Sequence, residues 1–165
     1  MSAPVLGACV VALGALSLCA GCGEDIITGS ICQPTGGFVS RILDGDTIEL
    51  DTEEKIRYLL VDTPEIDTNE CFAEEARELN RSLVIGREVA LEYDQGQCVG
   101  SLGRAIAYVY VDNRLVNQIL VERGYGAVKI VRPDNHPEKY LREDEFLELE
   151  KTAQEMKKGK WGVCP

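Results

Sequence analysis

The segment ILDGDTIEL, residues 42–50, places Asp44-Gly45 between two short β-prone runs. An Asp-Gly pair in this setting is a strong local sign of a β-hairpin. A third β-prone run, Lys55–Val61, follows, and it ends just before Pro64. Proline holds the preceding residue in an extended conformation, so the chain leaves the sheet at this point. The folded domain is therefore predicted to begin at Phe38 with three short strands.

Helical and extended patterns alternate through the rest of the chain. Apolar residues at helical spacing predict a helix within 71–86, which Gly86 ends. Two further strands and two further helices are predicted over 87–94, 104–112, 115–126 and 143–162. The order βββ-α-ββ-α-α predicts an α+β domain, built as a five-stranded β-barrel of the oligonucleotide-binding (OB) fold type with three α-helices.

The first 23 residues contain no charged side chain and hold a short apolar run that ends in small residues. This pattern resembles a bacterial lipoprotein signal, with Cys22 as the lipidated residue. An ordinary cleaved signal peptide and an uncleaved anchor are the alternatives. We expect a signal peptide over 1–22, a linker over 23–37 and a folded domain over 38–165. The protein is then exported, and either secreted or held at the cell envelope only by its N-terminal lipid.

Four of the seven cysteines lie outside the leader: Cys32, Cys71, Cys98 and Cys164. Well-separated cysteines in an exported domain predict two disulfides, for which three connectivities exist. We expect Cys71 to pair with Cys98, and Cys32 with Cys164, so that the second bond ties the two ends of the domain together. None of the four has C-x-x-C spacing and the chain has one histidine, which argues against a zinc site.

The charge balance limits the classes of function. A net charge of −11 excludes a protein that coats nucleic acid by bulk positive charge. It permits an enzyme that holds a phosphate in one local basic pocket, or one that uses a cation to bridge two sets of negative charges.

Two acidic residues follow neighbouring strands. Asp46 comes directly after the hairpin turn, and Asp62 stands at the exit of the third run. If the second and third strands pair, the two carboxylates converge at one end of the sheet. Oxygen ligands without His or Cys select a hard ion such as Ca²⁺ or Mg²⁺, and the Thr63 carbonyl is a further candidate ligand. Alternatively, the first acid belongs to a simple turn and the second to a strand end.

Three more charged residues suit phosphodiester chemistry. Glu65 lies just past the predicted ion site and could take a proton from an attacking water. Arg57, on the same strand as Asp62, and Arg104, at the head of the fifth strand, could bind a phosphate. Together with a divalent ion they would neutralise a transition state rich in negative charge. Surface salt bridges are the alternative interpretation of either arginine.

Several ordered segments resemble the staphylococcal nuclease-like (thermonuclease) family: ILDGDTIEL, IRYLLVDTPE, LGRAIAYVYVDNRLVNQILVERGYG and KKGKW. The resemblance runs from about Phe38 to Trp161. It implies a five-stranded OB-fold barrel with three helices and Ca²⁺-dependent hydrolysis of DNA and RNA. By motif it implies calcium ligands at Asp46, Asp62 and the Thr63 carbonyl, and catalytic residues at Arg57, Glu65 and Arg104.

The chain departs from this family's pattern at the nucleotide-binding face. Leu102 stands where the family often has an aromatic residue, and Lys129 and Val131 stand where two tyrosines cover the nucleotide. Losing base stacking should weaken or shift nucleotide binding without removing the chemistry. We expect Lys129 and Arg132 to supply phosphate contacts instead, in a protein that acts as a monomer.

Two other functions fit the same fold. One is a non-catalytic OB-fold module that binds nucleic acid or a protein partner. The other is an envelope lipoprotein whose calcium site is structural. Retention of the whole charged set argues against both, because a binding module does not need it and a structural calcium site gains nothing from added arginines.

Overall fold

The computed structural model describes residues 32–94, 98–100, 103–132 and 139–165. The predicted leader, its Cys22 and Leu102 lie outside these ranges. In the described ranges the chain forms six strands: β1 Gly36–Asp44, β2 Thr47–Leu50, β3 Lys55–Tyr58, β4 Glu88–Glu92, β5 Ala105–Val111 and β6 Arg114–Leu115. It also forms four helices: α1 Ala73–Val84, α2 Val116–Glu122, α3 Glu143–Glu155 and α4 Lys160–Val163. None of these helices combines the length and the apolar character needed to cross a bilayer.

Five strands close into a barrel. β1 pairs antiparallel with both β2 and β4, β2 pairs antiparallel with β3, and β4 pairs antiparallel with β5. A parallel pairing of β3 with β5 completes the ring, with Arg57 aligned to Ile106. The short strand β6 extends β5 outside the ring. The predicted α+β class and the five-stranded OB-type barrel are confirmed.

Strand alternation explains where the core lies. In β5 the side chains of Ala105, Ala107 and Val109 are buried, and the outward Ile106 and Tyr110 are half-buried. The interior is filled by aliphatic side chains from every wall of the barrel and by residues of the helices packed on it. β3 ends at Tyr58 rather than at the predicted Val61. The chain turns there because Leu60 adopts a positive φ of 60°.

The predicted disulfide pairing is wrong. The bonds join Cys32 to Cys98 and Cys71 to Cys164, with Cα–Cα distances of 5.1 and 5.8 Å. The N-terminal segment runs along the end of β4, where the Leu91 amide donates to the Thr35 carbonyl at 2.9 Å. This places Cys32 near the segment that follows β4 and carries Cys98.

The C-terminal cysteine is held elsewhere by its own helix. Helix α4 docks on the end of α2, and the Lys160 amide donates to the Gly124 carbonyl at 2.9 Å. Gly124 permits this approach because an added Cβ would lie 2.3 Å from the Lys158 carbonyl oxygen. The ring of Tyr125, next in the chain, lies 4.9 Å from that of Phe72. Cys164 is therefore brought to Cys71, and both ends of the domain are tied to interior segments rather than to each other.

A buried asparagine joins the barrel to α2. The Asn117 side chain is fully buried, donates to the carbonyls of Leu59 and Ala107 at 2.9 and 3.2 Å, and accepts from the Val109 amide at 2.9 Å. These bonds satisfy backbone groups just where β3 ends and the chain turns toward the site. Unsatisfied buried polar groups are costly, so this side chain fixes the start of that turn.

Replacing Asn117 with alanine should lower the free energy of unfolding by about 2–4 kcal/mol, since the buried Leu59 carbonyl and Val109 amide lose their partner. Urea denaturation followed by circular dichroism measures this loss. Gln118→Ala, at the next position of the same helix, is the matched control and should change stability by less than about 1 kcal/mol. An Asn117→Ala variant as stable as that control would contradict the role given to this side chain.

Candidate active site

Asp46 is the buried centre of the candidate site. It follows the hairpin turn between β1 and β2, and none of its surface is exposed. Its carboxylate accepts from the Thr63 amide at 2.8 Å and from the Thr47 hydroxyl at 3.1 Å. Burial raises the pKa of this carboxyl, and the Arg57 guanidinium and the Thr63 amide oppose that rise. The hairpin and the exit of β3 thus meet at one carboxylate.

Arg57 brings the two predicted metal ligands together. Its guanidinium reaches Asp46 at 2.6 Å and Asp62 at 2.7 Å with its two terminal nitrogens. One planar guanidinium can span these groups only if both carboxylates lie at the same end of β3. The predicted convergence of Asp46 and Asp62 is therefore seen directly, and Arg57, whose side chain is 14% exposed, lies between them.

A second cation, Lys129, also reaches Asp62. Its Nζ lies 2.8 Å from the Asp62 carboxylate, and its side chain remains half-exposed. The backbone explains this position, because Asp62 and Ala127 exchange two hydrogen bonds of 2.9 and 2.8 Å. Residues 127–129 therefore run beside the exit of β3. Lys129 therefore stands beside Asp62 at the site, and its phosphate contact stays a prediction.

Glu65 is paired with a residue that sequence reasoning did not single out, Asp44. The two carboxyl groups share a hydrogen bond. That hydrogen bond is the main cause of the raised pKa of Glu65, and burial is the main cause of the raised pKa of Asp44. Asp44 itself is held by α1, because the fully buried Asn80 donates to its carbonyl at 3.1 Å.

Asp44 could have been suspected from the sequence, since it is the first acid of the Asp-Gly-Asp turn. The alternation of side chains along β1 would not by itself place the Asp44 side chain at the site. The pairing of β1 with β2 shifts register between Ile42 and Asp44, and such a bulge re-aims a side chain.

The donor chemistry at this end of the barrel suits a hard cation. Asp46, Asp62 and the Thr63 carbonyl offer oxygen atoms only. The Thr63 hydroxyl is buried, with no hydrogen-bond partner in the described part of the chain. Gly45 packs against it so closely that an added Cβ would lie 2.6 Å away. Within the same residues no group of three or more His, Cys, Asp or Glu side chains is already gathered as a metal site. The acids present are instead neutralised by Arg57 and Lys129.

Arg104 stands apart from this ion-pair cluster. It precedes Ala105, which aligns with Ile56, so it lies about 7 Å along the sheet from the level of Arg57. Alternation places the two arginines on the same face. Arg104 makes no ion pair with any described residue, and its buried Nε has no hydrogen-bond partner among them. Arg104 therefore lies on the same face of the sheet as Arg57, and its charge is not paired with Asp46 or Asp62.

Arg132 lies in a different setting from the one expected for a phosphate contact. It pairs with Glu143 at the start of α3, and its guanidinium stands 5.8 Å from the centre of the Tyr140 ring. Glu143 is buried, so this pair fixes the start of the helix. Its phosphate contact stays a prediction, and the structure gives Arg132 a structural partner.

The sequence profile of the staphylococcal nuclease homologues matches residues 55–163, which include β3, Asp62, Glu65 and Arg104. The chain belongs to this family. Three relatives support this family assignment. Endonuclease YncB of Bacillus subtilis (strain 168) is 37% identical over 130 residues, which cover 74% of this chain and 60% of the relative.

The SPbeta prophage-derived endonuclease YokF of the same organism is 36% identical over 130 residues, covering 74% of this chain and 43% of the relative. The thermonuclease of Staphylococcus hyicus is 32% identical over 130 residues, covering 74% and 73%. The chain thus spans about half the length of the two Bacillus relatives and most of the Staphylococcus protein.

The Asp44–Glu65 pair should make stability depend on pH when metal is absent. Both folded pKa values are raised, so the stabilisation is complete below the unfolded values, near pH 4, and is lost as the pH rises through the folded ones. Asp44→Asn removes the pair. In EDTA, the free energy of unfolding of wild type should therefore fall relative to Asp44→Asn as the pH rises above about 4.

Urea titrations across this range provide the test, with Asp67→Asn as the control because Asp67 is an exposed acid close to Glu65 in the chain. A difference between wild type and Asp44→Asn that does not vary with pH would rule out the shared proton.

Proposed function

We propose that this protein is an exported, Ca²⁺-dependent endonuclease that hydrolyses phosphodiester bonds of DNA and RNA. The observation that carries this proposal is the position of Arg57 between two carboxylates, with Asp46 at 2.6 Å and Asp62 at 2.7 Å. The oxygen ligands for a hard cation therefore lie next to the guanidinium that would bind the phosphate. The family membership and the endonuclease names of its relatives support the same reaction.

The cation would be held by Asp46, Asp62 and the Thr63 carbonyl. When bound, Ca²⁺ supplies positive charge that polarises the phosphate and offsets its developing charge. The two terminal nitrogens of Arg57 now pair with Asp46 and Asp62, and they would bind phosphate oxygens once these carboxylates turn to the cation. Arg104, on the same face of the sheet, can bind another oxygen of the same group. These positions are fixed by the barrel, so the site is organised before the substrate arrives.

Glu65 is the proposed general base. Its hydrogen bond with Asp44 raises its pKa, which strengthens it as a proton acceptor as long as the pH exceeds that pKa. Glu65 would accept a proton from the attacking water, and the arginines would stabilise the negative charge that develops on the phosphate oxygens.

Substrate binding depends on local cationic side chains, because the chain as a whole has a net charge of −11. Lys129 is half-exposed beside Asp62, which would leave its charge accessible to an incoming phosphate. Charge contacts of this kind are screened by salt, so the rate at low substrate concentration should fall as ionic strength rises. Export, and either secretion or lipid anchoring at Cys22, belong to this proposal and rest on the uncharged leader. Action as a monomer is also part of this proposal.

Wild type should cleave single-stranded DNA and RNA in Ca²⁺ and lose activity in EGTA. Arg57→Ala and Glu65→Gln should each lower the turnover rate by about 10²–10⁴, because one removes charge stabilisation and the other the proton acceptor. Arg41→Ala and Asp67→Asn are matched controls, since both residues are exposed and lie outside the site. Cleavage that persists in EGTA would refute the calcium requirement. Full activity of Glu65→Gln would refute the role of Glu65.

Lys129→Ala should raise the KM for oligonucleotides several-fold and leave the turnover rate within about threefold, since a half-exposed cation aids binding more than chemistry. Steady-state kinetics at two salt concentrations measure both parameters. Lys151→Ala, an exposed lysine of α3, serves as the control. An unchanged KM in Lys129→Ala would exclude the phosphate contact.

A further inference from the structure

The proposed base, Glu65, stands at the start of an exposed loop that extends to Cys71, here named the Glu65 loop. Residues 67–71 of this loop are exposed. Its backbone bonds to itself, since the Glu70 amide donates to the Glu65 carbonyl at 3.1 Å and the Asn69 amide donates to the Ile66 carbonyl at 2.9 Å. Such a loop has little buried surface to hold it, so its geometry depends on its two ends.

The first end is held by Glu70. Its carboxylate accepts from the Glu65 amide at 3.1 Å and from the Thr68 hydroxyl at 3.2 Å. The loop is thereby closed into a ring across its base. These bonds fix the backbone of Glu65 relative to Glu70, but they do not attach the ring to the rest of the protein.

The second end is attached by the Cys71–Cys164 disulfide. Cys164 follows α4, which is docked on Gly124 through backbone contacts, so it offers a fixed anchor. Next to this bond, the rings of Phe72 and Tyr125 lie 4.9 Å apart. A cleft of about 320 Å³ opens between the two segments, lined by Pro64, Glu70, Lys160 and Trp161 together with the two cysteines and Pro165. The disulfide therefore adds a covalent link between the two segments beside this cleft.

We propose that the Cys71–Cys164 disulfide, acting with the Glu70 carboxylate, is a positioning element that fixes Glu65 for proton transfer. The inference rests on the proposed function, because it concerns the base of that reaction. The metal ligands and arginines are held by the barrel strands and their exits, on the other side of Pro64. Loss of the disulfide should therefore reduce the rate of chemistry and spare the binding of metal and substrate.

The first test is a pair of serine substitutions, Cys71→Ser with Cys164→Ser. The turnover rate should fall about 10- to 100-fold, since small misplacements of a reacting group have effects of this size. The KM for DNA and the Ca²⁺ affinity from calorimetry should change by less than about threefold. A turnover rate within twofold of wild type would overturn the proposal.

A double-mutant cycle separates positioning from general weakening of the fold. In a Glu65→Gln background the disulfide has no base to position, so the two serine substitutions should not lower the residual rate further. The control pair is Cys32→Ser with Cys98→Ser, which removes the other long-range disulfide. Any effect of this pair should persist in the Glu65→Gln background. An equal loss from Cys71→Ser/Cys164→Ser in both backgrounds would overturn the proposal.

Glu70→Ala tests the same element with both disulfides intact, in case the serine variant does not fold. It should show the same fall in turnover rate and the same dependence on Glu65, and an unaltered rate would count against the proposal. Should wild type cleave no substrate, the proposed function fails and hydrogen exchange decides the positioning claim. The amides of Asn69 and Glu70 should then exchange at least about tenfold faster in Cys71→Ser/Cys164→Ser than in wild type, and equal rates would overturn the claim.

Discussion

The ion pairs that join Arg57 to Asp46 and Asp62 are the interaction on which the rest of the site depends. A fully buried carboxylate is costly unless a charge and hydrogen bonds compensate it, and Asp46 has Arg57, the Thr63 amide and the Thr47 hydroxyl. Those partners come from the hairpin, from β3 and from the exit of β3. The buried charge therefore requires three parts of the chain to meet at one end of the barrel, and the site lies where they meet.

The rest of the fold supplies rigidity around that cluster. Asn80 links α1 to Asp44 and to the Tyr58 hydroxyl, and Asn117 links α2 to the turn that follows β3. The backbone exchange between Asp62 and Ala127 brings Lys129 to the same place. The two disulfides act further out, on the loop that carries Glu65 and on the segment that precedes Arg104.

Much of this could be predicted from local sequence, since hairpin, strand and helix patterns depend on neighbouring residues. The convergence of Asp46 and Asp62 followed from the pairing of β2 with β3. The disulfide pairing could not be predicted, because it depends on where the N-terminal segment and α4 dock, and no local pattern records that. Asp44 was missed because a bulge re-aims it, and the buried partner of Arg132, Glu143, lies in a separate helix. The sequence therefore predicts features that depend on neighbouring residues, but it does not predict contacts that depend on how distant segments pack together.

We propose that a hard divalent cation binds where Asp46 and Asp62 meet, beside an arginine that binds the phosphate. Calorimetric titration of Ca²⁺, with and without a non-hydrolysable dinucleotide analogue, tests it most directly. We expect one Ca²⁺ site in wild type, tighter when the analogue is bound, and loss of binding in a variant with both Asp46→Asn and Asp62→Asn. Undiminished Ca²⁺ affinity in that variant would contradict it.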